Sequence, residues 1–379
     1  MKQFFFLFIC CFFYLNNSFA QEPVDTVSKD SSFIKAVNKT SLSKFRKKEL
    51  IKAYLKGKIE DLNAIDTAWI SPNYYNFTFM IQNTNTFESF SVASTDNAAI
   101  NRIDFSPAPT FRLGAYFGWR WLFLGYTFNV NDILGKKRAN EKKNTEVDFS
   151  IYTSKIGIDL YYRKTGNNFK IQEPEKLAID GNSIDDNFNG LNIRMKGINV
   201  YYIFNHRFFS FPAAYSQSTE QRRSCGSFKL GFSYSQHKVS FDYTQLPKPI
   251  QENMSEAMKF DRVYYSDYNI SFGYAYNWVF KYNWLLDISL TPAIAYTHSH
   301  LESDGDFNPF KNLRFKNLNF DLITRVALVY NNAKYFAGLS FIYHSFNYKK
   351  EQFSINNSFG SLNFYVGLNF KKKKEYLNY

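Results

Sequence analysis

Six charged residues occupy the polar positions of segments in which apolar and polar residues alternate. They are Arg112, Lys229, Asp242, Asp287, Asp321 and Arg325. Alternate side chains of a strand point to the same face, so we expect all six to line one enclosed side of a sheet. Buried charges have to be paired or hydrated. Two interpretations follow: paired charges that fill the interior, or a hydrated lining that selects permeating solutes.

A second group of oxygen-bearing side chains resembles the start of a calcium loop. Three of them stand at alternate positions: Asp185, Asn187 and Asn189. Gly190 follows, as it does in the first half of such a loop. The position that should supply a bidentate glutamate is Lys196. The alternative is an ordinary surface turn rich in Asn, Asp and Gly.

Two histidines, His298 and His300, share one face of a predicted strand, with Glu302 on the same alternation. Two imidazoles are too few to close a metal site, and the segment is leaving its strand at Glu302. Solvated polar residues at a strand end are the alternative. The sequence predicts no cofactor.

The segment FSFPAAYSQSTEQRRSCGSF (209–228) combines residue types found at nucleophilic active sites. A nucleophile needs a base within hydrogen-bond reach, and the segment contains no histidine. His206, His237 or His344 would have to approach it through the fold. Two interpretations stay open: an acyl hydrolase acting on lipid, or a hairpin with a free thiol at Cys225.

From residue 73 onward the hydrophobic period is two, which is typical of strands. Leu122, Leu124 and Tyr126 share one face of a segment whose other face carries Gly125 and Thr127. Alternation over about ten residues fits a tilted strand crossing a bilayer, and it exceeds the usual strand length of a soluble sandwich. No stretch after residue 20 has the roughly eighteen apolar residues of a spanning helix. The predicted fold is an all-β, antiparallel transmembrane β-barrel.

Turn signals and aromatic pairs divide this region into strands. The turn signals are NTNT (83–86), SPAP (106–109), WVFKYNW (278–284) and YNNAKY (330–335), and the longer polar stretches are 135–145, 165–190, 245–262 and 298–317. The stretches near 205–208 and 236–239 could each be a bulge or a hairpin. Bacterial barrels favour even strand numbers, so we predict about twelve strands. Aromatic residues at strand ends predict interfacial girdles, as in the pairs Trp119/Trp121, Trp278/Trp284 and Tyr330/Tyr335.

Glycine recurs on the non-lipid face of six predicted strands, at Gly114, Gly125, Gly231, Gly273, Gly338 and Gly367. Glycine weakens a strand, so its recurrence needs a cause. Strong curvature is one cause, and room for neighbouring interior side chains is the other. Either favours a small, filled barrel over a wide pore.

The two ends of the chain carry signals of their own. Residues 1–20 have the charged start, apolar core and small-x-small cleavage site of a signal peptide, and their removal would leave Cys225 as the sole cysteine. Residues 21–65 form a basic, partly helical segment, predicted to be periplasmic, with a short basic amphipathic helix over 41–65. That helix either docks on the rest of the protein or rests on a membrane surface. Residues 371–379 form a basic tail.

The net charge of +13 is concentrated near these ends, with a local balance of +8 over residues 29–58. Basic and aromatic composition can indicate nucleic acid, but export and the terminal placement of the charge argue against such a partner. An anionic lipid or glycan surface is the expected counterpart.

Five motifs extend along the chain: DTAWI (66–70), LGAYFGWRWLFLGYTF (113–128), YYIFN (201–205), the segment 209–228 and YVGLNF (365–370). Together they resemble an uncharacterised family of Gram-negative outer-membrane β-barrels, filed as a domain of unknown function. The resemblance covers residues 66–370 and implies a barrel there, but it assigns no catalytic or binding residue. Outer-membrane barrels usually end on an aromatic read by the assembly machinery. Phe370 is the candidate, and Tyr379 is its rival.

The expected protein is therefore exported to the outer membrane of a Gram-negative bacterium, with lipids, lipopolysaccharide and the barrel-assembly machinery as partners. A structural, narrow-channel or surface-interaction role is predicted. The alternative is a barrel enzyme acting on lipid or lipopolysaccharide acyl chains.

Overall fold

The computed structural model of the chain describes residues 44–62, 64–94, 100–107, 110–119, 122–130, 145–165, 169–172, 187–300, 318–350 and 353–377. The predicted signal peptide, residues 1–20, lies outside this part of the chain. The chain forms two units, Met1–Asn63 and Ala64–Tyr379.

The first unit contains helix α1 (Lys44–Leu62), which confirms the helix predicted within residues 41–65. The Lys52 ammonium lies 4.0 Å from the Glu49 carboxylate, one turn earlier. Phe45 is exposed. Among the described residues, no helix has both the length and the apolar character needed to cross a membrane.

The second unit is built from strands. They are β1 (Ile70–Ser71), β2 (Tyr75–Ser94), β3 (Arg102–Pro107), β4 (Thr110–Trp119), β5 (Leu122–Asn129), β6 (Thr145–Tyr152), β7 (Ile156–Lys164), β8 (Phe169–Gln172), β9 (Asn187–Phe188), β10 (Leu191–Ile203), β11 (Glu220–Gln221), β12 (Cys225–Phe241), β13 (Arg262–Lys281), β14 (Trp284–His300), β15 (Leu318–Asn331), β16 (Tyr335–Lys350) and β17 (Phe353–Lys372). Two short helices, α2 (Phe211–Tyr215) and α3 (Lys248–Asn253), interrupt them.

Twelve strands form one closed antiparallel barrel, which confirms the predicted fold class and strand number. Its order is β2, β4, β5, β6, β7, β10 and then β12 to β17, and β17 pairs with β2 to close it. The predicted turn at residues 83–86 is wrong, because β2 runs through it without a break. The Asn83 side chain donates to the Arg112 carbonyl on β4 and the Asn85 side chain donates to Asn83, so both amides have acceptors within the sheet.

The barrel wall is apolar outside and polar inside, the reverse of a soluble protein. Exposed outer side chains include Phe79, Leu124, Ile270, Phe320 and Val366. Buried inner side chains include Asn269, Asp287, Ser289, Thr291 and Asn363. Because apolar residues face outward along every side of a closed sheet, the solvent around the barrel is lipid.

The two ends of the barrel differ. One, the turn end, has tight connections at residues 153–155, 282–283 and 332–334, together with the start of β2 and the end of β17. The other, the loop end, has the long connections between β2 and β4, β7 and β10, and β12 and β13. Trp119, Trp278, Tyr282 and Tyr335 are exposed at the turn end, as expected of an aromatic girdle.

The loop end is folded around an apolar core, the loop-end cluster. Its members come from inner positions of the wall, from β3, β8 and β9, and from α3; they include Phe90, Val92, Phe105, Phe169, Phe188, Leu191, Val239, Phe241, Ile250 and Ile355. The ring centroid of Phe105 lies 5.2 Å from that of Phe188 and 5.6 Å from that of Phe241. The lumen is therefore filled with packed side chains at this end.

The interior glycines make room for aromatic rings. Tyr116 stands opposite Gly125 in the register, and a Cβ at Gly125 would overlap the Tyr116 ring. Tyr365 and Gly338 form an equivalent pair between β16 and β17. Of the two causes predicted for these glycines, room for neighbouring side chains applies here.

Candidate functional site

The segment between β10 and β12 folds inward and plugs the turn end of the barrel. We call residues 204–224 the plug. They contain α2, whose buried face packs against inner wall residues that include Ala327, Val329 and Tyr365. The hairpin interpretation of 209–228 is wrong, because the segment contains the helix α2, its strand β11 pairs with β1, and Phe209 and Phe211 are buried in the interior.

Local sequence explains the shape of the plug. The Ser210 hydroxyl accepts from the Ala213 backbone N–H and caps α2, while Pro212 stands in its first turn. Gln217 then takes a positive φ of 50°, which ends the helix and reverses the chain. The Gln217 side chain donates to the Tyr365 hydroxyl at 2.9 Å, a bond from plug to wall.

Gln221 and Asn277 hold the plug by its backbone. The Gln221 side-chain oxygen accepts from the Ser210 N–H at 2.8 Å, and its nitrogen donates to the Phe208 carbonyl at 2.7 Å. The Asn277 amide on the wall donates to the Ser210 carbonyl at 2.9 Å and to Gln221 at 3.0 Å. All four hydrogen bonds are buried or partly buried, so each replaces a hydrogen bond to water that the interior cannot supply.

The DTAWI motif joins the plug to form a floor at the turn end. Ile70 pairs with Gln221 in the β1–β11 ladder, and Ser71 pairs with Glu220. The Asp66 N–H donates to the Arg207 carbonyl at 2.8 Å. The DTAWI motif and the segment 209–228, which are far apart in the sequence, therefore form one floor at the turn end.

Above the floor lies a charged network centred on the plug and the wall. The Tyr215 hydroxyl of α2 donates to Asp287 Oδ1 at 2.5 Å. Arg325 Nη2 lies 3.3 Å from Asp159 Oδ2, and the Tyr152 hydroxyl donates to Asp159 Oδ1 at 2.7 Å. These contacts place two acids and one guanidinium within the barrel interior, each with a partner.

Cations of the wall also face the aromatic rings of the plug. Lys229 Nζ lies 4.8 Å from the centroid of the Phe211 ring and donates to the Ser289 hydroxyl at 2.5 Å. The Arg325 guanidinium lies 5.7 Å from the centroids of both Phe211 and Tyr215. Cation–π contacts are strengthened where water is excluded.

The structure brings five of the six predicted interior charges inside the barrel. Arg112, Lys229, Asp287, Asp321 and Arg325 are buried on inner faces. The Asn269 amide donates to Asp321 Oδ2 at 2.8 Å. Arg325 has an acidic partner that the sequence analysis omitted, Asp159, although its position between inner-facing Gly157 and Tyr161 could have revealed it.

The prediction for Asp242 is wrong. This residue follows β12 and is exposed, where its carboxylate accepts from the Thr244 N–H and hydroxyl and from the Gln245 amide. These hydrogen bonds hold the pKa of the Asp242 carboxyl below its usual range. The alternation that suggested a lumen charge ends at Phe241, so Asp242 caps a short 3-10 helix instead.

The histidines do not form a nucleophilic site with the segment 209–228. His237 is buried near the loop end, where its Nε2 lies 2.9 Å from the Ser235 hydroxyl and 3.2 Å from Asp267 Oδ2. In a catalytic triad the hydroxyl and the carboxylate contact different imidazole nitrogens. His344 stacks on Phe359 with centroids 4.8 Å apart. Burial and the cations of Lys155 and Arg207 lower the pKa of His206 at the turn end.

The candidate metal ligands fall largely outside the described part of the chain. Asp185, His300 and Glu302 are not described in side-chain terms, Asn189 is exposed, and His298 is half-buried on β14. Asn187 lies in β9, with its side chain likewise outside the description. Among the described residues, no three His, Cys, Asp or Glu side chains are grouped so as to hold a metal. The Cys225 thiol is free.

A polar cavity of about 210 Å³, which we call the chamber, lies between the plug and the loop-end cluster. The order of inner residues along β2 locates it. Met80 packs in one apolar cluster with Ala213 and Ala214 of the plug. Gln82 and Thr84 line the chamber, and Phe90 belongs to the loop-end cluster. Asp159, Arg163, Tyr215, Arg325, His344 and Asn363 also line it.

Phe370 lies near the end of β17, on the outer face, with its ring stacked on Phe77 at 5.5 Å between centroids. The strand continues to Lys372, so the first two residues of the predicted basic tail are part of the barrel.

A closed twelve-strand antiparallel sheet with an apolar outside, a polar interior and a folded-in plug defines a transmembrane β-barrel protein. Residues 64–370 match the family described as Domain of unknown function (DUF4421), and the chain belongs to that family. No curated protein matches the chain.

Solved structures of similar outline include the outer membrane protease OmpT from Escherichia coli, with 8% identity, a TM-score of 0.33, and coverage of 78% of this chain and 97% of that chain. The toluene transporter TodX of P. putida has 7% identity, a TM-score of 0.26, and coverage of 79% and 91%. The β domain of the Bordetella autotransporter BrkA has 8% identity, a TM-score of 0.32, and coverage of 76% and 99%.

Proposed function

We propose that this protein is an outer-membrane β-barrel closed along its axis, with a structural role or a role in surface contacts made by its folded loop end. The observation that carries the proposal is the plug. Apolar Phe209 and Phe211 fill the turn end of the lumen, and Gln221 and Asn277 fix the plug backbone to the wall. In a porin, by contrast, the lumen is polar and filled with water along its whole length.

The loop-end cluster, which closes the other end of the lumen, supports the same role. At the loop end the inner face of the wall turns from polar to apolar, and Phe105, Phe169 and Phe188 pack against it with no more than 2% exposure. Loops that only guard a pore have no need of a packed core. A folded loop end instead offers a fixed surface to a partner.

Because bacterial outer-membrane barrels have short periplasmic turns and long extracellular loops, the proposal puts the loop end outside the cell and the turn end in the periplasm. The outer band then contacts outer-membrane lipids and lipopolysaccharide. Export through a cleaved signal peptide and recognition of Phe370 by the barrel-assembly machinery belong to the same proposal.

Liposome swelling tests this proposal. Proteoliposomes of the folded barrel should swell in small sugars and amino acids no faster than protein-free vesicles. A gel shift between unboiled and boiled samples verifies that the barrel is folded. Solute entry that rises with the amount of folded protein would contradict the closed lumen.

A further inference from the structure

Five cations lie together on the outer face of the barrel wall near the loop end. Along β10, Ile193 and Met195 are buried on the inner face, so the exposed Arg194 and Lys196 point outward. The strand register places three further cations on the same face: Lys164 on β7, Lys238 on β12 and Arg262 on β13. We call these five side chains the basic patch.

Three cations of the basic patch stand in one row across adjacent strands. Arg194 is directly opposite Lys164 on one side and directly opposite Lys238 on the other. Side chains so paired have Cβ atoms about 5 Å apart, and like charges at that spacing destabilise a sheet. The row therefore favours an anion that lies among the three cations.

The four strands supply no carboxylate to the patch. Their acidic residues are Asp159 and Asp267, and both lie on the inner face, where Asp159 pairs with Arg325 and Asp267 accepts from the Thr297 hydroxyl. Within the part of the chain that the structure describes, no salt bridge includes a cation of the basic patch. Its charge is therefore available to an external anion.

The Tyr264 ring gives the patch a fixed edge. It stands opposite Lys238 in the register, and the Lys238 ammonium lies 4.8 Å from its centroid. The Arg262 guanidinium lies 6.0 Å from the same centroid. Cations held on a ring lose less side-chain freedom when they bind a ligand.

The patch begins where the lipid-facing band ends. On β13 the outer face is apolar and exposed from Ile270 to Trp278, and Tyr268 lies beyond Ile270 in a row with Tyr234 and Tyr296. The stretch from Tyr268 to Trp278 measures about 33 Å along the strand, or about 25 Å along the barrel axis at a tilt of about 40°. That is the height of the apolar band of outer-membrane barrels, so the tyrosine row marks the second interface.

The depth of the cations follows from the same register. Ile198 pairs with Tyr234 in the tyrosine row, and Lys196 and Arg194 lie one and two alternations beyond it. These steps put the two cations about 5 Å and about 10 Å past the interface along the axis. Lipid headgroups occupy this zone.

We propose that the basic patch binds the phosphate groups of a lipopolysaccharide molecule, whose acyl chains lie against the apolar wall below the tyrosine row. The guanidinium of Arg194 is suited to bidentate contact with a phosphate, and the ammonium groups act as point charges beside it. The inference rests on the orientation proposed above, in which the loop end faces the leaflet that contains lipopolysaccharide. It goes beyond that proposal by giving one lipid a site of named residues.

Native mass spectrometry of the folded full-length barrel in a non-ionic detergent, with diphosphoryl lipid A as the probe, tests the proposal. We expect saturable binding that weakens about tenfold in R194Q/K196Q, which loses two charge-assisted contacts. K281Q/K334Q removes the same charge from exposed turn-end positions and should bind like the parent. Equal affinities of R194Q/K196Q and the parent would overturn the site.

Two further probes identify the lipid. Lipid A from which the phosphates have been removed should bind about tenfold more weakly, because the cations lose their counter-ions. Dioleoylphosphatidylglycerol should also bind more weakly, since its single phosphate meets fewer of the cations. Undiminished binding of dephosphorylated lipid A would overturn phosphate recognition, and equal affinity for phosphatidylglycerol would overturn lipopolysaccharide as the ligand.

Thermal unfolding separates binding from a structural role of Arg194. Without lipid A, R194Q should unfold at a higher temperature than the parent, because it relieves the repulsion in the row. The same concentration of lipid A should then raise the unfolding temperature of the parent by more than that of R194Q. An equal rise in both proteins would overturn the inference.

The lipid site and the axial closure can fail separately. A barrel that conducts ions but binds lipid A through Arg194 and Lys196 would refute the closure alone. A barrel that does not conduct, shifts in gel mobility on boiling and binds lipid A no better than R194Q/K196Q does would refute the lipid site alone.

Discussion

The Tyr215 hydroxyl of the plug donates a 2.5 Å hydrogen bond to Asp287 Oδ1 on the barrel wall. Asp287 is fully buried, and its other oxygen accepts no hydrogen bond from the described residues. A buried carboxylate depends strongly on the donors that remain. This contact therefore couples the position of α2 to the wall more tightly than a surface hydrogen bond could.

A double-mutant cycle with Y215F and D287N measures that coupling. We expect a coupling free energy of about 1.5–3 kcal/mol in urea unfolding, the range for hydrogen bonds to charged groups. A cycle of D287N with Y282F, at an exposed turn residue, should give a value near zero. Similar values for the two cycles would contradict a specific bond between plug and wall.

F211A tests the packing of the plug. The Phe211 ring lies 4.5 Å from the Tyr215 ring and 5.2 Å from the Tyr201 ring, between centroids, and is 1% exposed. Removing it should lower the free energy of unfolding by about 3–5 kcal/mol, as for other buried phenylalanines. F280A removes the same ring from an exposed girdle position and should cost less. An equal or smaller loss for F211A would show that the plug is loosely held.

Q221A removes the side chain that joins the two arms of the plug. Trypsin should then cleave faster after Arg222 and Arg223, because the β11 segment loses its bonds to Ser210 and Phe208. Q251A is the matched control, since Gln251 donates to the Thr244 and Leu246 carbonyls at the loop end. Faster plug cleavage in Q251A as well would point to general destabilisation rather than release of the plug.

The stability of the floor should depend on pH through Glu220. Burial raises the pKa of its carboxyl above the usual value, against a smaller opposing effect of Arg222. A raised carboxyl pKa favours folding at low pH, and this advantage is lost as pH rises through the folded-state pKa. E220Q should therefore be more stable than the parent at pH 7, with the difference shrinking as pH falls towards the usual carboxyl range. E252Q, at exposed loop-end Glu252, should show no such trend in thermal unfolding.

The membrane barrel was predictable because its signal is local. Phe79 and Ile81 alternate with Thr78 and Met80 along β2, and other long strands of the barrel wall, such as β13 and β17, repeat that two-residue period. The plug was not predictable, because an apolar segment such as FSFPAAY looks the same in a hairpin or inside a lumen. Only the closed wall, which brings Asn277 and Tyr365 within hydrogen-bond distance of the segment, decides between the two arrangements.

The interior network was predictable in part. Alternation correctly put Arg325 and Asp287 on inner faces, but it could not select their partners, since Asp159 lies on a strand distant in sequence from β15. The same limit hid the short ladder between β5 and β6. Nothing in the amino-acid sequences of β5 and β6 shows that their pairing ends at Leu124.

Single-channel recording in planar lipid bilayers tests the central claim, a lumen closed by the plug and the loop-end cluster, most directly. Folded protein, verified by its mobility shift on boiling, should insert without discrete conductance steps across the accessible voltage range. A variant that lacks residues 209–219 of the plug should also show no conductance steps, because the loop-end cluster still seals the lumen. Stable, reproducible conductance steps from the full-length barrel would contradict the account.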